Sequence, residues 1–203
     1  MGVRPATNRR PGALVVAQTH GPDRPQPQPI TLDSGSTAVA VLDLTAKCDD
    51  PKQVCSLLIP GVGTMLDRAR AANVPVIMTG TILEKGTPQG KAAAGLGRRE
   101  NEPFLFPDSF DKFHDAEFRG FFATRPIKNV VMVGSSTHIC IMYTATAAAR
   151  LYGYNVVIPV DGVNTADPYE NDYALHQLSV LPAGTNKRVH FTTLEGISFK
   201  DPV

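Results

Sequence analysis

The segment from Val130 to Gly153, VVMVGSSTHICIMYTATAAARLYG, limits what this chain can fold into more than any other. Its first residues are apolar and β-branched over the length of one strand, and the small polar residues from Gly134 to Thr137 predict a turn. The next residues place apolar side chains near helical spacing, with alanines between them, and Gly153 favours a helix end. The pattern therefore predicts a buried strand, a tight turn and a helix.

Cys140 lies where the predicted turn meets the predicted helix. A thiol in the first turn of a helix is near the positive end of the helix dipole and near unpaired backbone N–H groups, and both favour the thiolate. The same N–H groups are suited to holding the oxyanion of an acyl-transfer reaction. Cys140 is therefore a candidate nucleophile. The alternative is a small buried hydrophobic side chain, which is the commoner role of a free cysteine.

The order of strand, turn and helix recurs along the chain. We expect strands over residues 37–42, 74–79, 129–134, 155–160 and 188–193, with helices over about 61–73, from about 115, after Cys140, and over about 169–181. Asp43, Cys140 and Asp161 then lie just beyond strand carboxyl ends, where ligands gather in open parallel sheets. The fold class predicted is a three-layer α/β/α sandwich with a mostly parallel sheet of five to six strands.

Two stretches interrupt this order. The first thirty residues are rich in Pro, Arg, Gln and Thr and show no periodicity, so we expect residues 1–30 to form an extended N-terminal arm. Residues 31–203 are then one domain of ordinary size. Residues 80–107 are rich in Gly, Lys and Arg and also lack periodicity, which predicts a long loop over the edge of the sheet.

Composition narrows the possible partners. The net charge is +1, and no basic cluster with interleaved aromatic residues predicts binding to nucleic acid. No apolar run has the length of a membrane span, and residues 1–21 lack a signal-peptide core. We therefore expect no membrane partner.

Cysteines and histidines bear on compartment and metal binding. The three cysteines are odd in number and lack the spacing of a disulfide or zinc framework, so Cys48 and Cys55 are expected to stand alone in a cytoplasmic protein. The five histidines show no paired spacing either, which predicts neither a metal site nor a cofactor.

Lys112 lies between Phe110 and Phe113 in a charged, aromatic stretch. Partial desolvation by these rings would lower the pKa of the lysine and suit it to acid–base chemistry. The competing and commoner interpretation is an exposed lysine whose aliphatic stem packs on the rings.

Three motifs together resemble the isochorismatase-like cysteine hydrolases, the superfamily that contains nicotinamidases and related amidases. They are a hydrophobic strand ending in aspartate, AVLDL; a lysine before a Phe-containing helix, FDKFHDAEFRG; and the turn and helix GSSTHICIMYTATAAARLYGYNV. The resemblance covers residues 37–199 and implies the α/β fold, a small-molecule substrate and a homo-oligomer, as a dimer or tetramer.

The resemblance assigns roles to individual residues. It implies that Asp43 is the general base, Cys140 the nucleophile and Lys112 the supporting cation, a chemically coherent set. It also implies a cis peptide before Ser136, with the N–H groups of Ser136 and Cys140 forming an oxyanion hole. Phe113, Phe118 and His138 would line the substrate pocket.

Departures from the family pattern narrow the activity further. Thr45 stands where many members have Gln, and residues 79–82, TGTI, lack the Asp-x-His metal motif of nicotinamidases. Members that hydrolyse the vinyl ether of isochorismate generally lack the cysteine, so Cys140 favours a metal-independent hydrolase of carbon–nitrogen bonds other than peptide bonds. Vinyl-ether hydrolysis by Asp43 and Lys112, and a non-catalytic binding module of the same fold, are the alternatives.

Overall fold

The computed structural model describes residues 23–202 of the chain. Four α-helices and nine strands lie in this part. The helices are α1 Ile59–Ala71, α2 Ala116–Ala123, α3 Met142–Arg150 and α4 Pro168–Ser179. The strands are β1 Ile30–Asp33, β2 Thr37–Leu42, β3 Val76–Thr79, β4 Phe104–Leu105, β5 Asn129–Ser135, β6 Asn155–Pro159, β7 Val163–Asn164, β8 Val189–Thr192 and β9 Ile197–Lys200.

The main sheet is parallel and has the strand order β4-β3-β2-β5-β6-β8, with β7 pairing to the end of β5. The chain therefore runs outward from β2 to one edge, returns to the other side of β2, and continues outward through β5 and β6. A separate two-stranded parallel sheet joins β1 to β9, near the two ends of the described chain.

Side chains alternate between two hydrophobic cores, one on each face of the sheet. In β2, Val39 and Val41 face one core while Ala38, Ala40 and Leu42 face the other. Helix α1 covers the first face, and α2, α3 and α4 cover the second. Burial on both faces explains why the central strands are continuous apolar runs. The predicted three-layer α/β/α architecture with a mostly parallel sheet is confirmed, although the sheet has seven strands rather than five to six because the short β7 adds to the end of β5.

Helix starts follow from local capping. The Asp115 carboxylate accepts a hydrogen bond from the N–H of Phe118 at the start of α2, and the Asp167 carboxylate accepts one from the N–H of Tyr169 at the start of α4. Pro168 occupies the first turn of α4, where its missing N–H has no helical partner to lose.

The structure contradicts the expectation for Cys48 and Cys55, because a disulfide joins them across a Cα–Cα distance of 5.3 Å. Two short 3₁₀ turns, Ala46–Asp49 and Val54–Leu58, fold the intervening chain back on itself and bring the two thiols together. Proximity through a turn leaves no spacing signal in the sequence. The bridge also removes the cysteine argument for a cytoplasmic protein, since disulfides persist chiefly in oxidising compartments.

The predicted arm is only partly within the described residues. Residues 1–22 lie outside them, whereas residues 23–29 have no regular structure and run along α4 and β8. Arg24 forms an ion pair with Asp172 of α4, and the N–H of Gln28 donates to the carbonyl of Phe191 in β8. β1 begins directly afterwards, at Ile30.

The long loop over residues 80–107 contains more structure than its sequence predicts. It includes two short 3₁₀ turns, Ile82–Glu84 and Ala94–Leu96, and it ends in β4, the edge strand that pairs with β3. In the described part of the chain, no helix combines the length and apolar character needed to cross a membrane.

Candidate active site

The candidate site lies where the strand order reverses, between the carboxyl ends of β2 and β5. Neighbouring connections leave this point in opposite directions, which opens a crevice that open α/β sheets use for ligands. β2 and β5 approach so closely that a side chain on Gly134 would lie 2.1 Å from the carbonyl oxygen of Leu42. Gly134 also has φ of 147°, a backbone region that favours glycine.

Asp43 follows β2 with φ of 58°, a left-handed conformation that is uncommon for a residue with a side chain. Its two carboxylate oxygens have different partners. The hydroxyl of Thr79 donates to Oδ1 at 2.7 Å, and Lys112 Nζ is 2.9 Å from Oδ2. The Asp43 N–H in turn donates to the carbonyl oxygen of Thr79 at 3.1 Å. These contacts fix the direction in which the carboxylate points.

Lys112 is 3% exposed, so the expectation of an exposed lysine is wrong. It comes from a short 3₁₀ turn, Lys112–His114, that Asp111 caps. Thr144 of α3 holds this turn in place, because its hydroxyl accepts from the Lys112 N–H at 3.1 Å and donates to the Phe110 carbonyl at 3.2 Å. The ammonium is thereby kept against Asp43 inside the protein.

Cys140 lies in a π-helical turn, Thr137–Ile141, that precedes α3 and is the kind of irregularity often found at functional sites. The side chain is 3% exposed, and its thiol donates to the carbonyl oxygen of Ser136 at 3.4 Å. Burial raises the pKa of the thiol well above its ordinary value, and the nearby Asp43 carboxylate raises it further. Lys112 lowers the pKa, but by less.

The expectation that the helix end favours the thiolate is not met in the folded protein. Burial removes the hydration of a thiolate and Asp43 places a like charge beside it, and together they outweigh Lys112 and the local backbone hydrogen bonds, which lower the pKa. The raised pKa favours the thiol form of Cys140.

The turn before Cys140 contains a cis peptide bond between Ser135 and Ser136. The Ser135 hydroxyl donates to the carbonyl of Asn164 in β7 at 3.2 Å, and the Asn164 side-chain amide donates to the carbonyl of Val54 at 2.7 Å. These bonds connect the serine turn to the segment that carries the disulfide.

The carboxylate, the ammonium, the thiol and the serine turn border one cavity of about 600 Å³. Asp43, Lys112 and Cys140 line it together with Ser135 and Ser136. Thr81, Asp108 and Ser109 are the other polar residues of the lining. The remaining lining is a group that we name the apolar wall, formed by Ile82, Leu83, Pro107, Phe110 and Ile139.

A family model for the isochorismatase domain matches residues 39–188, which begin within β2 and include the Cys140 turn. The chain belongs to the isochorismatase family. This confirms the resemblance seen in the three sequence motifs. It also makes hydrolysis the expected general activity.

Known members of the isochorismatase family resemble this chain at low sequence identity. The secreted isochorismatase effector Isc1 of Verticillium dahliae is 22% identical over 149 residues, which cover 68% of this chain and 78% of Isc1.

Solved structures share the fold. The MAR1 ribonuclease of Caenorhabditis elegans has a TM-score of 0.67 at 23% identity, covering 82% of this chain and 81% of its own. A cysteine hydrolase of Pseudomonas syringae has a TM-score of 0.68 at 16% identity, and the match covers 84% of this chain and 94% of the hydrolase. The octameric hydrolase YcaC of Escherichia coli has a TM-score of 0.67 at 20% identity, and the match covers 81% of this chain and 78% of YcaC.

The structure brings the expected catalytic trio of this isochorismatase-family chain together, but not the expected pocket residues. Phe113 and Phe118 are buried in the core beneath α2 and α3, where their rings pack edge to face at 5.1 Å. Aromatic packing within the core accounts for them, and neither lines the cavity. His138 is also outside the lining, with its Nε2 3.5 Å from Glu170. Asp161, which was expected beside Asp43 and Cys140 at the carboxyl ends of the strands, is also outside the lining. Its carboxylate accepts a hydrogen bond from the N–H of Leu194.

Sequence reasoning missed the residues that position the trio. Thr79 and Thr144 are buried hydroxyls in an apolar strand and an alanine-rich helix, and nothing in those patterns distinguishes them from packing residues. Thr45, seen only as a departure from the family pattern, is 1% exposed and donates to Glu84 at 3.1 Å.

No group of three His, Cys, Asp or Glu side chains suited to a metal occurs within residues 23–202.

Proposed function

We propose that this isochorismatase-family protein is a metal-independent cysteine hydrolase that cleaves a carbon–nitrogen bond of a small amide, carbamoyl compound or lactam through a thioester. The observation that carries the proposal is the meeting of a thiol, a carboxylate and an ammonium on one cavity. Cys140, Asp43 and Lys112 all line it, and Lys112 Nζ is 2.9 Å from Asp43 Oδ2. These are a nucleophile, its base and the cation that compensates the base.

The first half of the reaction makes the thioester. Asp43 takes the proton from Cys140 as the sulfur adds to the amide carbon, and the N–H groups of Ser136 and Cys140 donate to the oxyanion that forms. The proton then passes from Asp43 to the amide nitrogen. The carbon–nitrogen bond breaks, ammonia or an amine leaves, and the acyl group stays on the sulfur.

The second half releases the acid. Asp43 takes a proton from a water molecule as the water oxygen adds to the thioester carbon. The carbon–sulfur bond breaks, and the sulfur recovers the proton from Asp43. The sum is amide plus water giving carboxylic acid plus amine, and Lys112 stays positively charged throughout. We further propose that the protein acts as a homo-oligomer, which the octameric E. coli neighbour supports.

Vinyl-ether hydrolysis of isochorismate is less well supported by the charges of the site. Isochorismate carries two carboxylates, and binding two anions in a desolvated cavity calls for cationic partners. Among the described residues that line the cavity, Lys112 is the only cation, and it is already paired with Asp43. Neutral amides, carbamoyl compounds and lactams have no such requirement.

The test is release of ammonia or amine from a panel of these compounds by the wild-type protein, Cys140→Ala and Cys140→Ser, all treated with a chelator. We expect turnover only in the wild type, together with an acyl adduct at Cys140 in the intact mass. Activity that the chelator removes would contradict metal independence. Hydrolysis of isochorismate that survives in Cys140→Ala would establish the vinyl-ether alternative instead.

A further inference from the structure

The apolar wall extends the candidate site well beyond the reacting groups. A cavity of about 600 Å³ is in the range of complete small-molecule sites, about 300–1,000 Å³. One carbonyl and one nitrogen occupy little of such a volume. The remainder faces the aliphatic and aromatic side chains of the wall, so the non-reacting part of the substrate is expected to be apolar.

Hydrogen bonds fix the two chain segments that supply most of the wall. Ile82 and Leu83 lie in the 3₁₀ turn that Thr81 and Glu84 cap reciprocally, and Glu84 also accepts a hydrogen bond from the buried Thr45. On the other side, Thr144 holds the backbone of Phe110. The backbone that carries these wall residues is thus held in place before a ligand binds, which reduces the entropy lost on binding.

Phe110 is the aromatic member of the wall. Its ring stacks on Tyr143 of α3 with centroids 6.1 Å apart and 27° between the planes, yet 66% of the residue is exposed. A stacked ring with an open face is suited to covering a second ring or an aliphatic ring on a ligand. Phe110 is therefore the side chain that best distinguishes a ring-bearing substrate from a small one.

The charges of the cavity also favour an uncharged substrate. Apart from Asp43 and Lys112, which neutralise each other, and the Cys140 thiol, whose pKa is raised, the ionisable group in the described lining is Asp108, an exposed carboxylate. A substrate carrying its own carboxylate meets no free cation there and meets one like charge. Anionic substituents are therefore disfavoured.

We propose that the site selects amides whose carbonyl bears an uncharged, ring-sized apolar or aromatic group, and that Phe110 determines this preference. The reaction named here rests on the proposed function, whereas the selectivity rests on the wall and its charges. The two are therefore separable by experiment.

Binding is measured with Cys140→Ala, which retains the wall and cannot acylate. Isothermal titration compares acetamide, cyclohexanecarboxamide, benzamide and 4-carbamoylbenzoate, which adds a carboxylate to benzamide. We expect the two ring amides to bind at least about tenfold more tightly than acetamide, and the carboxylate at least about tenfold more weakly than benzamide. Adding Phe110→Ala should remove most of the ring preference. Adding Tyr169→Ala, an exposed aromatic on α4 outside the lining, should leave it intact.

Equal binding of acetamide and benzamide, failure of the ring amides to bind at millimolar concentration, or tighter binding of the carboxylate would overturn the proposal. Wild-type turnover of the same amides is assayed in parallel. Ring-selective binding without turnover would contradict the proposed function and support the proposed selectivity. Turnover with the same kcat/KM for amides with and without a ring would contradict the selectivity and support the function.

Discussion

The surroundings of Asp43 determine both the orientation of its side chain and the conformation of its backbone. Each carboxylate oxygen has its own partner, Thr79 on one side and Lys112 on the other, and the backbone adopts a left-handed φ that a side chain usually avoids. Conformations of this kind cost about 1–3 kcal/mol and persist where the surrounding structure enforces them. Here the enforced conformation places the carboxylate in the lining of the cavity.

Asp43→Asn is predicted to have opposite effects on hydrolysis and on thiol reactivity. Loss of the base should lower turnover by about 10²–10⁴-fold, as expected for a general acid–base group. The pKa of Cys140 is raised mainly by burial and further by this carboxylate, while Lys112 lowers it. The variant should therefore react faster with iodoacetamide at pH 8 than the wild type does.

Asp108→Asn is the matched control, because it removes a carboxylate from the same cavity without touching the ion pair with Lys112. Its alkylation rate should stay close to that of the wild type. If Asp43→Asn and the wild type are alkylated at the same rate, Asp43 does not control the thiol, and the proposed proton transfer loses its support.

At the scale of elements, the segment bridged by Cys48 and Cys55 links the two sides of the site. It follows Asp43 in the chain, and Val54 accepts the hydrogen bond from Asn164, whose carbonyl holds Ser135. The bridge thus stabilises a piece of irregular chain against which the serine turn rests. The hydrogen bonds of its two short 3₁₀ turns also order this segment.

Removal of this disulfide is predicted to lower the free energy of unfolding by about 2–3 kcal/mol. Closing a loop with a sequence separation of seven restricts the unfolded chain by roughly this amount. Urea unfolding of Cys48→Ala/Cys55→Ala, compared with the wild type under non-reducing conditions, measures the loss. Reductant should shift the urea unfolding curve of the wild type toward that of the double variant, and it should leave the curve of the double variant unchanged. Coincident unfolding curves for all samples would show that the bridge does not stabilise the fold.

The elements differ in how far the sequence predicted them. β2, β5 and β6 are buried on both faces, so their apolar runs are unambiguous, and their predicted starts coincide with the observed ones. β4 and β7 have two residues each, too few to show a period. β1 pairs with β9 more than 160 residues away, and such a pairing leaves no local pattern.

At the scale of the whole molecule, the strand order determines where the candidate catalytic residues lie. Asp43 follows β2, Cys140 follows β5, and Lys112 comes from the segment after the edge strand β4. Only because the chain returns from that edge to the other side of β2 do the three residues share a cavity. The same packing buries Cys140 and so couples its protonation to the stability of the fold.

The stability of the fold is predicted to fall at alkaline pH because of Cys140. Its pKa is raised in the folded state, mainly by burial, above the ordinary value of 9.0. The folded protein therefore holds the thiol proton more tightly than the unfolded chain does. This contribution to stability is fully present below about pH 9 and is lost as the pH rises from there through the folded pKa, with a slope of up to about 1.4 kcal/mol per pH unit.

The measurement is urea unfolding between pH 7 and pH 10.5 for a protein with Cys140 and for its Cys140→Ala variant. Both carry Cys48→Ala and Cys55→Ala, so that disulfide exchange cannot contribute. The difference in unfolding free energy should be constant up to about pH 8.5 and then decrease for the protein with the thiol. Parallel curves over the whole range would show that the folded thiol titrates as it does in the unfolded chain.

The sequence by itself determined the fold class, the main strands, the family and the three residues expected to react. These depend on patterns that are local in the chain: apolar runs, turn residues and short motifs. The tertiary structure alone decided the Cys48–Cys55 disulfide, the raised pKa of Cys140, the contacts of Thr79 and Thr144, and the burial of Phe113 and Phe118 away from the cavity. Each of these depends on distances between residues that are apart in the chain and on the exclusion of water, and neither is recorded in a local pattern.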